Sequence, residues 1–368
     1  MELKLIRGGV RELNRTSSGE PYPRFEVRPS TPVIGAELRG VDLAAELDDE
    51  LRAELRRALL EFKVIFFRDQ EITSTRQLEI ARIWGEPEAN PFFPTGDEVR
   101  ISRLAKDGQM FGMENVWHSD HSFLAKPARG AVLRAAEVPD NAGDTMWADM
   151  AAAYDNLPED VQALIDGLEA EHDWISTWGR ILPDDKRDAL REELPTVVHP
   201  VVKVHPGTGR RTLYVNEPFT DRILGLPEAE GQALLEYLRL QARVPEYQVR
   251  FRWAPGSVAI WDNWAVQHYA INDYYPSRRV MERVAILRVT AGTDHHSDHR
   301  AVRNIRRRSP RSPAAGRLRG RFRMRRQPHA VWDSARTAAG SQRSSGEDSR
   351  DAVYWSYISH GSRSPGGR

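Results

Sequence analysis

The chain has 368 residues, with 53 Lys and Arg against 53 Asp and Glu, so its formal net charge is zero. This balance joins two unlike parts: residues 295–368 hold 17 Arg, no Lys and 5 acids, which leaves 36 basic and 48 acidic residues in 1–294. The sequence contains no cysteine, which excludes disulfides, thiolate metal ligands and a cysteine nucleophile. Any metal site must therefore be built from histidine and carboxylate side chains.

The N-terminal segment lacks the apolar region of a signal peptide, and no apolar run approaches the ~18 residues of a membrane helix. We therefore expect a cytoplasmic protein with no membrane partner. Residues 1–25 are polar and interrupted by Pro and Gly, which predicts a flexible N-terminal arm before a domain that spans 26–294.

The first helix is predicted from Asp48, where apolar residues recur four, four and three positions apart, at Leu51, Leu55, Leu59 and Phe62. Lys63 is expected to end this helix. The run Val64–Phe67 is typical of a short buried strand. A second helix is predicted from Thr73 or Ser74 to Trp84.

Further helices are predicted at 158–171 and 227–243, each with a proline in its first turn. Strands are predicted at 131–136, 197–204, 212–215, 247–253, 257–261 and 283–289. The strands mostly do not alternate one for one with helices. This pattern favours an α+β fold with a sheet core and flanking helices over a doubly wound parallel sheet.

Residues 295–368 are predicted to be disordered, because Leu, Ile, Val and Phe supply only 7 of these 74 residues. Two interpretations of this Arg-rich tail stay open. Its arginine runs, at 306–308 and 319–326, are of a kind that contacts nucleic acid. The favoured interpretation is a non-functional extension, so a nucleic-acid partner is not expected.

A candidate metal site lies at His118 and Asp120, because a His-x-Asp pair on extended backbone places both side chains on one face. The pair alone is weak evidence, since His296 and Asp298 repeat it within the tail. His268, which follows a strand-like run and a polar turn, is the best third ligand. Two His and one carboxylate form the facial triad of non-haem Fe(II) oxygenases.

Two arginines follow on the run Arg279–Leu287, which overlaps the strand predicted at 283–289. Alternation along that run places Arg279, Met281 and Arg283 on one face, pointing toward the same cavity as the candidate ligands. Two guanidinium groups in one cavity imply two anionic groups, because an unpaired buried arginine is very costly.

Several segments match a known family in order and spacing: Val33–Ala36, Phe67–Gln70, Trp117–Asp120, Gly143–Thr145, Ala170–Asp173, Leu194–Pro206, Val215–Glu217, Ile260–Asn263 and Gln267–Ala270. From about Phe25 to Thr293 the chain resembles the taurine dioxygenase (TauD/TfdA) family of Fe(II)/2-oxoglutarate-dependent oxygenases. The resemblance implies a double-stranded β-helix, that is, a jelly-roll or cupin-like core with flanking helices.

The resemblance also implies roles for particular residues. His118, Asp120 and His268 would hold Fe(II), and Thr145 with Arg279 would bind the distal carboxylate of 2-oxoglutarate, with O2 as the second co-substrate. Arg283 matches the position that binds the anionic head of the substrate. The remaining residues that match substrate-pocket positions are Asn90, Glu114, Trp178 and Phe219.

The leading hypothesis is a dioxygenase that hydroxylates a C–H bond of a small anionic substrate and releases succinate and CO2. Asn90 stands where the taurine enzyme has a histidine, and Glu114 where it has an asparagine, so a phosphonate or another sulfonate fits at least as well as taurine. Taurine dioxygenase proper, which releases sulfite, is one alternative. A protein that binds nucleic acid through its tail is another. A secondary-metabolite pathway such as antibiotic biosynthesis stays open, and the family implies a homo-oligomer, either dimer or tetramer.

Overall fold

The computed structural model describes residues 19–88, 100–106, 114–180 and 182–287. The predicted tail at 295–368, Asn90 and the first 18 residues of the predicted arm lie outside the described residues. No helix within the described ranges is both long and apolar enough to cross a membrane.

The described residues form short strands and mostly short helices. The strands are β1 (Glu26–Pro29), β2 (Ala36–Arg39), β3 (Val64–Phe67), β4 (Pro87–Glu88), β5 (Ser102–Lys106), β6 (Gly130–Glu137), β7 (Thr145–Asp149), β8 (Glu169–His172), β9 (Val197–Pro200), β10 (Val202–Val204), β11 (Arg211–Leu213), β12 (Thr220–Ile223), β13 (Gln248–Phe251), β14 (Val258–Asp262), β15 (Val266–Ala270) and β16 (Arg279–Ile286). The helices are α1 (Asp49–Phe62), α2 (Ser74–Ala81), α3 (Met150–Asp155), α4 (Glu159–Ile165), α5 (Asp184–Glu193) and α6 (Glu228–Arg239). Short 3₁₀ turns lie at Trp178–Arg180, Leu240–Arg243 and Pro245–Tyr247.

Helix α1 confirms the sequence prediction at both ends. The side chain of Asp48 accepts a hydrogen bond from the backbone N–H of Leu51 at 2.8 Å, which satisfies one of the unpaired donors of the first turn. Lys63 adopts the left-handed conformation (φ 66°) and ends the helix. The chain then passes directly into β3.

The main sheet has eight strands in the order β1-β2-β3-β14-β6-β16-β4, and β5 also pairs with β16. Its pairings are antiparallel except that of β2 with β3. A three-stranded antiparallel sheet has the order β13-β7-β15, and β12-β8-β9 and β10-β11 form two smaller sheets. This architecture is a mixed α+β fold rich in sheet, as the sequence predicted.

Strand β3 shows how the layers are built, because all four of its residues are buried. Ile65 and Phe67 belong to a cluster that includes apolar residues of α1 and α2, whereas Val64 and Phe66 belong to a cluster shared with β7, β13 and β15. The main sheet thus carries helices on one face and the three-stranded sheet on the other. The site described below lies between the two sheets.

Some predicted elements differ from those observed. The helix predicted at 158–171 ends at Ile165, because Gly167 adopts φ 79° and the chain then enters β8. The strand predicted at 197–204 is divided into β9 and β10 at Val201. The helix predicted at 227–243 continues as 3₁₀ turn after Arg239.

The predicted N-terminal arm includes residues 19–25, yet Tyr22 packs against the domain. Its ring stacks on Phe25 at 5.1 Å, its hydroxyl donates to Glu61 at 2.8 Å, and the guanidinium of Arg57 lies 3.8 Å from its ring centre. These contacts place the start of the packed chain a few residues before Phe25.

Candidate active site

His118, Asp120 and His268 come together as the sequence predicted. Each is buried, and each offers one ligand atom within 4.8 Å of the other two. A backbone bridge holds the two histidines: the N–H of His118 donates to the carbonyl of His268 at 3.0 Å, and the N–H of His268 donates in return at 2.8 Å. The chain before β6 is thereby fixed against β15, so the triad depends on tertiary structure.

The hydrogen bonds and charges around the three side chains suit a metal ion. His118 Nδ1 lies 2.8 Å from the carbonyl oxygen of Val116, which only accepts, so Nδ1 carries the proton and Nε2 is left to bind metal. Burial, and then the neighbouring His118 ring, lower the pKa of His268 well below its ordinary value. Burial alone would raise the pKa of Asp120, but the charge of Arg283 and the neighbouring histidines His268, His118 and His121 together outweigh it and keep that pKa well below its usual range.

Asn263 holds the loop that carries the carboxylate. Its side-chain oxygen accepts from the N–H of Asp120 at 2.8 Å, and its amide nitrogen donates to the carbonyls of Asp120 and Ala128, each at 2.8 Å. Asn263 belongs to the matched segment Ile260–Asn263, for which the sequence indicates no particular role. The structure shows that it fixes the backbone on either side of the Asp120 side chain.

A cavity opens beside the triad. It is lined by His118, His268, Thr145, Arg279, Leu133 and Met281, among other residues. Arg279 and Met281 both face the cavity, as does Arg283, so the alternation predicted for this strand is confirmed. The cavity therefore combines two candidate metal ligands, two arginines and an apolar wall.

Arg279 is buried in this cavity without an ion-pair partner among the described residues. Its Nε donates to the carbonyl oxygen of Gly143 at 3.1 Å, and no carboxylate of the described chain pairs with its guanidinium. Burial lowers the pKa of Arg279, since it disfavours the charged form. A buried guanidinium in this situation calls for an anionic ligand that is not part of the protein.

Arg283 also faces the cavity, and it forms an ion pair with the carboxylate of the candidate triad. Its Nη1 donates to Asp120 Oδ1 at 2.5 Å, whereas its buried Nε has no hydrogen-bond partner among the described residues. The arginine thus orients the candidate metal-binding carboxylate, and its Nε–H is still able to donate a hydrogen bond to a ligand in the cavity. Glu114 lines the same cavity and pairs with Lys106 of β5 at 3.3 Å, a cation that sequence analysis missed because no motif includes it.

Residues 26–285 match the family model described as taurine catabolism dioxygenase TauD, TfdA family. The chain belongs to this family.

Related proteins cover most of the same region. The chain is 38% identical over 279 residues to the alpha-ketoglutarate-dependent sulfate ester dioxygenase of Pseudomonas putida, across 73% of this chain and 92% of that protein. It is 34% identical over 281 residues to an alkylsulfatase of Acinetobacter baylyi, across 74% of this chain and 88% of that protein. The crystal structure of AAD-2 in complex with Mn(II) and N-oxalylglycine superimposes with a TM-score of 0.62 at 26% identity, covering 72% of this chain and 98% of that one.

This TauD/TfdA-family protein is therefore an oxidoreductase, an alpha-ketoglutarate-dependent dioxygenase whose co-substrates are 2-oxoglutarate (alpha-ketoglutarate) and O2. The resemblance stated from the sequence is confirmed. The individual residue roles it implied, including those of Thr145 and Arg279, stay predictions.

Two predicted pocket residues lie elsewhere than the cavity. Trp178 and Phe219 belong to a hydrophobic cluster that also contains Phe123 and Trp174, and neither lines the cavity beside the triad. Phe219 packs edge-on against Phe123 with ring centres 4.9 Å apart. Their assignment to the substrate pocket stays a prediction, as does that of Asn90, which lies outside the described residues.

Gly143 offers a test of how Arg279 is placed. Its φ is 71°, and a Cβ added there would lie 2.9 Å from Arg279 Cδ. Because the side chain of Arg279 would have to move, we expect Gly143→Ala to raise the KM for 2-oxoglutarate by about tenfold, which corresponds to ~1.4 kcal/mol. Steady-state kinetics with varied 2-oxoglutarate measures this effect.

Gly40→Ala is the matched control for backbone strain. Gly40 has a similar φ of 85°, and nothing lies within 4 Å of an added Cβ. Both variants should lose comparable stability, about 1 kcal/mol, but only Gly143→Ala should change the KM. Equal KM values for the two variants would mean that Gly143 does not position Arg279.

Proposed function

We propose that this protein is an Fe(II)- and 2-oxoglutarate-dependent hydroxylase of a small anionic organic molecule. The observation that carries the proposal is the buried Arg279, which has no anionic partner among the described residues and shares its cavity with the candidate ligands His118 and His268. A dicarboxylate that spans the distance from metal to arginine would satisfy both ends. 2-Oxoglutarate has this form, with a ketoacid group that chelates metal and a distal carboxylate that suits the guanidinium fork.

The triad suits Fe(II). Two neutral imidazoles and one carboxylate form the ligand set of non-haem iron oxygenases, and Asp120 Oδ2 is buried without a hydrogen-bond partner among the described residues. A cation between the three side chains would give this oxygen its partner. Bound Fe(II), with 2-oxoglutarate and O2, supplies the oxidant that removes hydrogen from a C–H bond, with succinate and CO2 as the coproducts.

We further infer that the two facing sheets form a double-stranded β-helix. Residues of β3, β6, β14 and β16 pack against residues of β7, β13 and β15 in one buried cluster, which supports a closed sandwich of antiparallel strands. In such a fold the metal ligands lie at one end of the barrel, between the two sheets. The location of the triad beside β7 and β15 agrees with this architecture.

The anionic group of the substrate is proposed to bind at Arg283. Arg283 lines the cavity and retains an unpaired Nε donor, and the cation Lys106 lies in the same wall. Because one relative is named a sulfate ester dioxygenase and another an alkylsulfatase, we place a sulfate ester or sulfonate first and a phosphonate second. Hydroxylation of the carbon that bears a sulfate ester oxygen gives a carbon with two oxygen substituents. Its C–O bond to sulfate then breaks, which leaves an aldehyde or ketone and free sulfate.

The test is succinate formation with Fe(II), 2-oxoglutarate and O2 across alkyl sulfates, alkylsulfonates including taurine, phosphonates and aryloxy acids. We expect succinate release that depends on O2 and on one anionic class, accompanied by sulfate if the class is sulfate esters. Sulfite release from taurine would establish the taurine dioxygenase alternative. An absence of substrate-dependent succinate across all four classes would contradict the proposal.

Replacement of Arg283 tests which arginine binds which anion. We expect Arg283→Gln to raise the KM for the anionic substrate by about 30-fold or more, in line with the ~2 kcal/mol or more lost when one partner of a buried charge pair is removed. With Fe(II) kept saturating, so that any loosening of Asp120 does not empty the metal site, the KM for 2-oxoglutarate should change less than about threefold. A larger effect on 2-oxoglutarate than on substrate would mean that the roles of Arg279 and Arg283 are reversed.

Arg278→Gln is the matched control for Arg283→Gln. Arg278 precedes the same strand, but its guanidinium is exposed and pairs with Glu137 at 2.5 Å. Exposed pairs contribute little, so both KM values should stay unchanged. A change in either constant would show that loss of positive charge anywhere along this strand affects binding.

Several sequence predictions remain to be tested. They include the cytoplasmic location, a dimer or tetramer, and a secondary-metabolite role. The alternative function, binding of nucleic acid, depends on the tail at 295–368, which lies outside the described residues and so is not tested. Deletion of the tail should leave succinate formation unchanged if the tail is a non-functional extension.

A further inference from the structure

The hydroxyl of Thr145 has a partner that no sequence motif indicates. The indole Nε1 of Trp253 donates a hydrogen bond to Thr145 Oγ1 at 2.9 Å, and both side chains are buried. The pairing arises from strand register: Phe251 at the end of β13 pairs with Thr145 at the start of β7, and Trp253 follows two residues later. The ring of Trp253 packs edge-on against Phe251, with ring centres 5.0 Å apart, which holds the indole in place.

This hydrogen bond determines the role that the threonine hydroxyl can play. An indole N–H only donates, so Thr145 Oγ1 must accept from Trp253. The hydroxyl has a single proton, and it makes no other hydrogen bond among the described residues. Because Thr145 lines the cavity, that proton remains available to an acceptor within the cavity.

The same end of β7 also holds Arg279. Gly143, two residues before Thr145, accepts from Arg279 Nε at 3.1 Å. A carboxylate at this point of the cavity would meet the guanidinium from β16 and the hydroxyl from β7. The hydrogen bond from Trp253 fixes the orientation of the hydroxyl before any ligand binds. Such a hydroxyl loses less rotational entropy on binding than one that rotates freely.

We infer that Trp253 is a positioning residue for the 2-oxoglutarate site, which fixes the Thr145 hydroxyl as a donor to the distal carboxylate of the co-substrate. The inference rests on the proposed function, because it assigns that carboxylate to Thr145 and Arg279. Trp253 itself does not line the cavity and acts only through Thr145. Its effect therefore has to vanish when the threonine hydroxyl is removed.

The experiment measures binding of N-oxalylglycine, an unreactive analogue of 2-oxoglutarate, to the Mn(II)-loaded full-length protein by titration calorimetry. We expect Trp253→Phe to weaken binding about five- to tenfold, the scale of one hydrogen bond. Oxalate, which can chelate the metal but has no distal carboxylate, should bind both proteins equally. Steady-state kinetics should show a matching rise in the KM for 2-oxoglutarate, with kcat within about twofold.

Trp147→Phe is the control for loss of an indole from the core. Trp147 is fully buried 6.4 Å from the Trp253 ring, but its Nε1 has no hydrogen-bond partner among the described residues. The same substitution there should leave N-oxalylglycine affinity unchanged. Equal weakening in both variants would show that altered core packing, and not the hydrogen bond, is responsible.

A double-mutant cycle with Thr145→Val gives the decisive comparison. In the Thr145→Val background, Trp253→Phe should have no further effect on N-oxalylglycine binding. Additive losses would overturn the inference. If the wild type does not bind N-oxalylglycine at all, the proposed function fails, an outcome distinct from a wild type that binds and a Trp253→Phe variant that binds equally well.

A spectroscopic measurement keeps the inference testable if Trp253→Phe does not fold. The protein has ten tryptophans, whose indole N–H resonances can be labelled with ¹⁵N. The resonance that shifts in Thr145→Val identifies the indole bonded to Thr145. That resonance should shift on addition of N-oxalylglycine and not of oxalate, and a resonance insensitive to both would overturn the inference.

Discussion

Replacing His268 with alanine is expected to abolish both metal binding and turnover. His268 lies on β15, and its Nε2 is 3.8 Å from Asp120 Oδ2, so its loss removes one of the three candidate ligands. Even changes beside a metal ligand cost 10- to 100-fold in affinity or activity, so loss of a ligand should reduce turnover by more than about 100-fold. We choose His268 because removal of Asp120 would also leave the buried Arg283 without its ion pair.

Thermal unfolding provides a readout that does not depend on turnover. A metal that binds only the folded state stabilises it by RT ln(1 + [L]/Kd), about 2.7 kcal/mol at one hundred times Kd. Mn(II) should therefore raise the Tm of the wild type and leave that of His268→Ala unchanged. His199→Gln is the control, since His199 is buried and bonds to the carbonyl of Leu124 at 3.0 Å, away from the triad. A metal-dependent Tm that persists in His268→Ala would exclude His268 as a ligand.

Elements governed by local rules were predicted well from the sequence. Helix α1 has an apolar face at regular spacing and an Asp at its N-cap. Both signals relate residues that are at most four positions apart, so a short stretch of sequence contains them. Helix α5 (Asp184–Glu193) was missed because none of its residues is buried. Without a buried face, a helix leaves no periodic apolar signal in the sequence.

In the candidate site, too, some features could be predicted from the sequence and others could not. His118 and Asp120 are close in sequence, and His268 was found because it follows a strand signal and matches a family motif. The contacts that orient these residues join distant segments. Arg283 is 163 positions from Asp120 in the sequence, and Asn263 is 143 positions from Asp120, yet both form hydrogen bonds with it. Such contacts depend on strand register, which a single sequence does not encode in any short motif.

Replacing Arg279 with methionine is expected to weaken 2-oxoglutarate binding strongly without destabilising the apoprotein. Removing one partner of a buried hydrogen-bonded charge pair costs ~2–5 kcal/mol, so the KM for 2-oxoglutarate should rise by about 30-fold or more. In the absence of ligand, however, Arg279 is a buried cation with no ion-pair partner among the described residues. An apolar side chain of similar length avoids the cost of burying that charge.

The two measurements together separate a binding role from a structural one. If the arginine serves the fold, its replacement should lower both ligand affinity and stability. If it serves ligand binding and is buried without an ion-pair partner in the apoprotein, its replacement should lower ligand affinity alone. We expect the unfolding free energy of metal-free Arg279→Met to equal or exceed that of the wild type in denaturant titrations. A clear loss of stability would show that Arg279 serves the fold.

Two further variants test the geometry around this arginine. Arg279→Lys keeps the charge but loses the fork that binds a carboxylate through two hydrogen bonds, so it should recover only part of the lost affinity. Arg250→Gln is the control, because Arg250 pairs with Asp144 at 2.6 Å next to Gly143 but does not line the cavity. Its KM for 2-oxoglutarate should match the wild type. If Arg279→Lys binds as tightly as the wild type, charge alone accounts for the site, and the paired hydrogen bonds proposed for the distal carboxylate are not formed.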